Sequence, residues 1–387
     1  MYKKFFSLVC IIFPGIAQRD CPFLRSVTIV QPIQEIILGY LDHYDQKVFT
    51  HTRIKKTITK LLYSRDGTSL IAVYSDGSIE TRKAKNFDLM RNFRFSDPFV
   101  KRIIYAVSHA HENDCIALLS NKENLTHYPM IIEFWNYLTG KLAEEQVLPD
   151  SVRNIVSSVD GAQIALCSSN RLHVMNAQCM IAEQVISCDG GTYDAAFSHD
   201  NCFIATRTSF RSCGQFVQTC QQGIQIFEIK TARKVAFLEH IGPFSLAYSR
   251  DGKYFAAMGD KTLKIWSADS YKLLYSSDKM DCEWLDGNYL EYSPCGKYFA
   301  LIAGNNAQIW CAHTQCLRYE IQNKKDISKN AVLQTFAFSP DGTCLAAGYR
   351  DGSLVVWKNQ AREILSGNAV STVLPKIDSS KPGCIIA

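Results

Sequence analysis

The chain has no C-x-x-C pair, no G-x-S-x-G, no H-E-x-x-H and no Walker A glycine loop. These absences remove, in turn, zinc ribbons and thioredoxin-like redox motifs, serine-hydrolase elbows, zinc metalloproteases and P-loop nucleotide sites. Charge of one sign is also scarce: 42 Lys and Arg against 37 Asp and Glu leave a net charge of +5. A dedicated nucleic-acid binder concentrates its cations on one face. The densest basic stretch here, THTRIKKTITK (50–60), alternates with Thr and Ile, as a strand with a solvated face does. No nucleic-acid partner is expected. Beyond the N-terminus no run is apolar enough to span a bilayer. No long helical period competes with the short alternating segments. His109 and His111 form the one close histidine pair and have no third candidate ligand nearby, so neither a metal nor a cofactor is expected.

Cysteine is plentiful, at fifteen, but not arranged as a disulfide framework. Such frameworks belong mainly to small secreted domains, whereas 387 residues suffice for one large core or two ordinary ones. Cys213 and Cys220 are different: they bracket a polar loop and would staple it in an oxidising compartment. Cys115, Cys202 and Cys344 share a repeat position with Tyr254 and Tyr298, which gives them a packing role.

Repetition is what the sequence has. LLYSRDGTSLIAVYSDGSIETRK begins at Leu61, NIVSSVDGAQIALCSSNRLHVMN at Asn154, SLAYSRDGKYFAAMGDKTLKIWS at Ser245 and TFAFSPDGTCLAAGYRDGSLVVWK at Thr335. With fainter copies from Tyr105, Asp194 and Leu290, seven turns recur at about 40–50 residues, the period of propeller blades. Each copy runs from a short strand through a polar turn, often Asp-Gly, into a strongly apolar strand. A second turn and an alternating strand ending in an aromatic follow, then a more polar fourth strand. The expected fold is all-β: a seven-bladed β-propeller of four-stranded antiparallel blades over residues 58–365, whose radial repetition leaves only short protected edges. Either AREIL (361–365) or KVFTHTRI (47–54) supplies the last outer strand.

FSPDGTCLAAGYRDGSLVVW and YSRDGKYFAAMGDKTLKIW resemble WD repeats. That resemblance implies that the second-turn aspartates Asp76, Asp260 and Asp351 stabilise their blades through hydrogen bonds. The pattern departs from the family in that Trp135, Trp266, Trp310 and Trp357, which close third strands, are never followed by Asp, and no Gly-His opens a repeat.

Asp341 and Asp351 lie at opposite ends of one strand, about 20 Å apart, too far for the roughly 5–9.5 Å that paired glycosidase carboxylates need. No catalytic residue is therefore assigned. Insertions at NKENLTHYPM (121–130) and SFRSCGQFVQTCQQG (209–223), with the linker DKMDCEWLDGN (278–288), all project to one face of the ring, the pattern of a binding face. Tyr128, Phe210, Arg211, Phe216 and Trp284 are the expected partner anchors, since aromatics and Arg dominate interface energetics.

The ends point in different directions. FFSLVCIIFPGIA (5–17), after MYKK and with Gly15 and Ala17 small before Gln18, has the layout of a secretory signal peptide. Residues 18–57 would hold a short helix and a candidate ring-closing strand. Within them Pro32, Glu35 and the apolar run 36–41 faintly resemble an F-box start. The aromatic-poor tail 366–387 should be flexible, and it ends in Cys384-Ile-Ile-Ala, which fits the C-a-a-X prenylation pattern and a membrane tether. The reading reached is an exported (periplasmic or extracellular), non-enzymatic scaffold that binds a protein or peptide. Its alternatives are an exported propeller hydrolase or lyase with a site in the central channel, and a cytoplasmic F-box-like adaptor with a prenylated end.

Overall fold

SLIAVY, YFAAMG and CLAAGY are apolar nearly throughout, without the alternation of a half-exposed strand, so a strand made from any of them must be covered on both faces. In the computed structural model each forms the second strand of a blade and is buried between its neighbours. The structure describes residues 46–52, 56–94, 102–109, 114–122, 130–148, 152–178, 181–209, 223–240, 243–259, 262–277, 290–303, 306–321 and 332–358. All of them lie in one unit, Tyr44–Lys358. The signal-like segment, the stretch 31–45, AREIL and the tail with Cys384 fall outside the described residues.

Blade one consists of β2 (Ile58–Tyr63), β3 (Ser69–Tyr74), β4 (Ser78–Lys83) and β5 (Leu89–Arg94), hydrogen-bonded in that order. Five more blades repeat the antiparallel order: β6 (Arg102–His109) to β9 (Lys141–Leu148), β10 (Asn154–Ser157) to β13 (Ala182–Ser187), β14 (Gly191–Phe197) to β17 (Arg233–Glu239), β18 (Pro243–Tyr248) to β21 (Leu273–Ser276), and β22 (Leu290–Tyr292) to β25 (Leu317–Ile321). First strands surround the axis and fourth strands form the rim. Rim strands are largely exposed and carry charges, as in LMRNFR and KLAEEQVL, which discourages edge-to-edge pairing. The fold is thus all-β, seven blades of four strands, with no helix among the described residues.

The seventh blade closes differently. β26 (Leu333–Phe338), β27 (Cys344–Tyr349) and β28 (Ser353–Lys358) are completed by β1 (Gln46–Thr52), paired antiparallel from Gln46 opposite Lys358 to Thr52 opposite Ser353. THTRIKKTITK is therefore not one strand: its first residues end β1 in blade seven, and its last begin β2 in blade one. Two opposite patterns meet there, which is why the alternation looked continuous. The seam is packed like any other. Ile58, Leu61, Leu70 and Tyr74 of blade one share a core with Ala346, Leu354 and Val356 of blade seven, with Phe49 laid against it. Phe49 stacks on Phe87 at 5.1 Å and lies under the Arg82 guanidinium at 5.2 Å. Gly348 allows this approach, because a Cβ there would lie 2.6 Å from Ile58 Cγ2.

Cys115 and Cys344 open second strands and are buried. Cys202 does not share their register. Phe203 takes the strand-opening position in blade four, and Cys202 sits exposed in the turn, its N–H donated to Asp200 at 3.0 Å.

Candidate interaction face and central channel

The turn between first and second strands carries a repeated lock. Ser64, Ser158, Ser198, Ser249 and Ser339 each donate a hydroxyl to the aspartate two residues on, at 2.5 to 2.7 Å. Each of those aspartates accepts the N–H two residues further, at 2.9 to 3.1 Å. The serine oxygen in turn accepts the N–H that opens the next strand. Blade six keeps Ser293 but has Cys295 in place of the acid. Burial alone would raise Asp341; the Ser339 hydroxyl and the Thr343 N–H and hydroxyl outweigh it and hold the carboxyl below its usual range. Asp351, at the far end of β27, accepts the Ser353 N–H at 2.9 Å.

These turns also touch one another around the ring. Pro340 lies against Gly67, Asn201 accepts the Val159 N–H at 3.2 Å, His199 meets Gly252 and Asp251 meets Gly296. Arg65 reaches from blade one to the Ser158 carbonyl of blade three, where a Cβ on Gly161 would lie 2.0 Å from its guanidinium. This turn face is an interlocked collar, poorly suited to opening for a partner.

The opposite face receives the second turns and the connections between blades. Asp76 accepts from Lys56 Nζ, from the Ser78 N–H at 3.1 Å and from Arg94 at 2.8 Å. Burial pushes its carboxyl up, but these donors hold it well below the usual range. The segments 123–129, 210–222, 278–289 and 322–331 leave and rejoin the described strands on this side. Tyr128, Phe210, Arg211, Phe216, Trp284, Cys213 and Cys220 fall within them, outside the described residues, as does Asp260. At the inner end of blades three and four, on the same side, two guanidiniums lie against the Tyr193 ring: Arg153 at 4.4 Å and Arg207 at 4.7 Å from its centroid. Arg153 and Tyr193 hold the same repeat position, five residues before the turn serine, and strand pairing brings Arg207 beside them.

The channel has a signal that was present in the sequence. Four residues before the turn serine, inside an otherwise apolar strand, stand Lys60, Asn154, Asp194, Ser245 and Thr335. Asp194 accepts from Asn154 Nδ2 of blade three at 3.0 Å, from the Ala195 N–H at 2.9 Å and from the Leu246 N–H of blade five. Glu291 accepts the Phe338 N–H of blade seven. Lys60, Asp194 and Glu291 are surrounded by protein yet keep some accessible surface, as channel-wall residues do. Burial raises Asp194 to about 6 against the pull of Arg207 and Lys60, and Glu291 to about 7 against Lys60 and Arg250. Burial lowers Lys60, against the attraction of both acids. The carboxylates are engaged by amide donors of neighbouring blades, so their first role is to tie innermost strands together. Among the described residues, no group of three or more His, Cys, Asp or Glu is arranged to hold a metal ion. No described helix is long and apolar enough to cross a membrane.

Seven four-stranded blades around a central axis define a β-propeller. Two of its segments, 233–267 and 327–358, match the family model of the WD domain, G-beta repeat, so these parts of the propeller are similar to WD repeats. No curated protein matches the chain. The first match runs from β17, the rim strand of blade four, to the third strand of blade five, β20 (Thr262–Ser267). The sequence repeat is thus offset by one strand from the blade, and that offset leaves blade seven to be completed by β1.

Proposed function

We propose that the protein is a non-enzymatic scaffold that holds a protein or peptide against the loop-bearing face of its propeller. Propellers of the matched family commonly serve as protein-interaction scaffolds. The observation that carries the reading is the Arg153–Tyr193–Arg207 stack on that face. Arg and Tyr dominate interface hot spots, and a ring already clamped in place loses little freedom on binding. Arg153 is exposed, and its guanidinium makes no hydrogen bond or ion pair among the described residues beyond its place over the Tyr193 ring. The test is capture of partner by the chain from residue 18, followed by quantitative binding of the partner identified. Arg153→Ala, and separately Arg211→Ala with Phe216→Ala, should each weaken binding roughly tenfold or more at unchanged Tm. Unchanged binding in both removes the loop-face proposal.

The layout of residues 1–17 supports action after export. Intact mass of the native protein should show their loss, whereas a prenyl mass on Cys384 would reverse the assignment. A second reading, a channel-centred hydrolase or lyase, is favoured by the two acids with near-neutral pKa beside Lys60. A screen of peptide and ester substrates separates the two: turnover that Asp194→Asn abolishes would replace the scaffold reading.

A further inference from the structure

The hairpins between third and fourth strands turn over four or five residues, and several are capped by a side chain at the third strand's last position. Asn136 accepts the N–H groups of Leu138 and Thr139 at 3.1 and 2.8 Å, Asn176 that of Gln178 at 2.9 Å, and Ser267 that of Ser270 at 3.4 Å. In blade six the capping position, at the end of β24 (Asn306–Cys311), is Cys311. Its sulfur stands where the other hairpins carry a capping oxygen, and the nearby Thr314, His313 and Arg318 groups favour its thiolate. A thiolate accepts such donors far better than a neutral thiol.

Directly across the hairpin is Cys316. The Cys311 N–H donates to the Cys316 carbonyl at 3.0 Å, and Gln315, with φ of 56°, closes the turn by donating to the Cys311 carbonyl at 2.9 Å. The Cys316 sulfur lies 3.3 Å from the Thr314 carbonyl oxygen, within the turn. Residues facing each other across a hydrogen-bonded hairpin have Cα atoms about 5.5 Å apart, within the range a disulfide spans. Both side chains are partly accessible.

We propose that Cys311 and Cys316 form a peroxide-reactive dithiol, with Cys311 as the attacking sulfur and Cys316 as the resolving one. The Cys311 thiolate attacks one oxygen of hydrogen peroxide. The O–O bond breaks, giving Cys311 sulfenic acid and hydroxide, which takes the proton of the Cys316 thiol. The Cys316 thiolate then attacks the sulfenic sulfur and expels hydroxide, which is protonated to water. Two thiols and one peroxide become a disulfide and two waters. Burial raises the Cys311 thiol, but the Thr314, His313 and Arg318 donors outweigh it and hold the thiol below its ordinary value. The contrast is Cys202, the most accessible described thiol, which burial, Asp200 and Glu228 push up. Accessibility alone favours Cys202; the second thiol across the hairpin and the lowered Cys311 thiol favour the 311–316 pair.

The experiment treats the purified full chain with stoichiometric hydrogen peroxide and maps alkylated peptides by mass spectrometry. A 311–316 disulfide should form, with Cys311 alkylated roughly ten times faster than Cys202 before oxidation. A chain purified with that bridge already present, and reducible by dithiothreitol, gives the same support. In Cys316→Ser, whose fold is checked by Tm, dimedone should label Cys311. Faster reaction at Cys202, or no dimedone adduct on Cys311 in folded Cys316→Ser, overturns the proposal.

Discussion

A serine two residues ahead of an aspartate recurs in five blades, and the structure shows why the pair travels together. The serine donates to the acid and accepts the N–H that opens the next strand, so neither side chain is replaceable alone. Ser249→Ala leaves the Tyr254 N–H without its acceptor and should cost about 1–2 kcal/mol in urea unfolding. Cys295→Asp should stabilise blade six by up to about 1 kcal/mol, since the Ser293 hydroxyl there meets a sulfur at 3.3 Å in place of a carboxylate. The Asp-Gly turns stood out in the sequence because glycine punctuates them. The serine was equally constant and drew no attention, because serine is common in any loop. The two acids FSPDGTCLAAGYRDGSLVVW contains are turn caps at opposite ends of β27.

The channel acids differ in sign from the turn acids. Turn aspartates such as Asp341 are held below their unfolded value, so the stability they contribute is present above about pH 4 and lost as pH falls. Asp194 and Glu291 are raised to about 6 and about 7, so the folded chain binds more protons than the unfolded one between about pH 4 and those values. Their contribution is full below about pH 4 and is lost as pH rises through 6 to 7. Glu291→Gln should therefore raise Tm at pH 8 while changing it little at pH 4. A loss of Tm at pH 8 would mean that attraction to Lys60 outweighs the cost of burying the charge.

Strands were legible because each carries its own period, and pairing was legible only where neighbours are consecutive. β3 beside β4 follows from a short turn. β1 beside β28 does not, because nothing local distinguishes a strand that pairs with its successor from one that pairs with the far end of the chain. KVFTHTRI (47–54) was one of two candidates for closure; the structure pairs Gln46–Thr52 with β28. Its contribution rests on Phe49, set against Phe87 and Arg82 of blade one. Phe49→Ala should destabilise by about 2 kcal/mol and should raise hydrogen exchange first along β28. Equal protection of β28 in both proteins would mean the strand is held by its ladder alone. The Arg–Tyr–Arg stack was not legible: Arg153 and Tyr193 share a repeat position, just before the polar channel residue, but different side chains fill it, and Arg207 joins them from a second strand.

Closure makes the ring one cooperative object. A seven-blade array joined only in sequence would have two free ends, each able to fray as repeat proteins do. Here the first described strand belongs to the last blade, so separating blade seven from blade one also requires breaking the six paired residues of β1 and β28. Holding the ends of roughly 300 residues together costs about 5 kcal/mol of chain entropy, growing only slowly with length. The buried seam core and the β1 ladder offset that cost. A circular permutant tests the division. Gln46 lies opposite Lys358, so a four-residue turn can join them, with a new N-terminus at Lys56. Blade seven would then be continuous like the others, and the seam would keep its packing but lose its covalent clasp. The permutant should fold to the same strand content, with a lower urea midpoint and a broader transition in which β2 and β26 lose exchange protection before the other blades. A permutant as stable and as sharply cooperative as the natural chain would show that the seam core alone closes the ring.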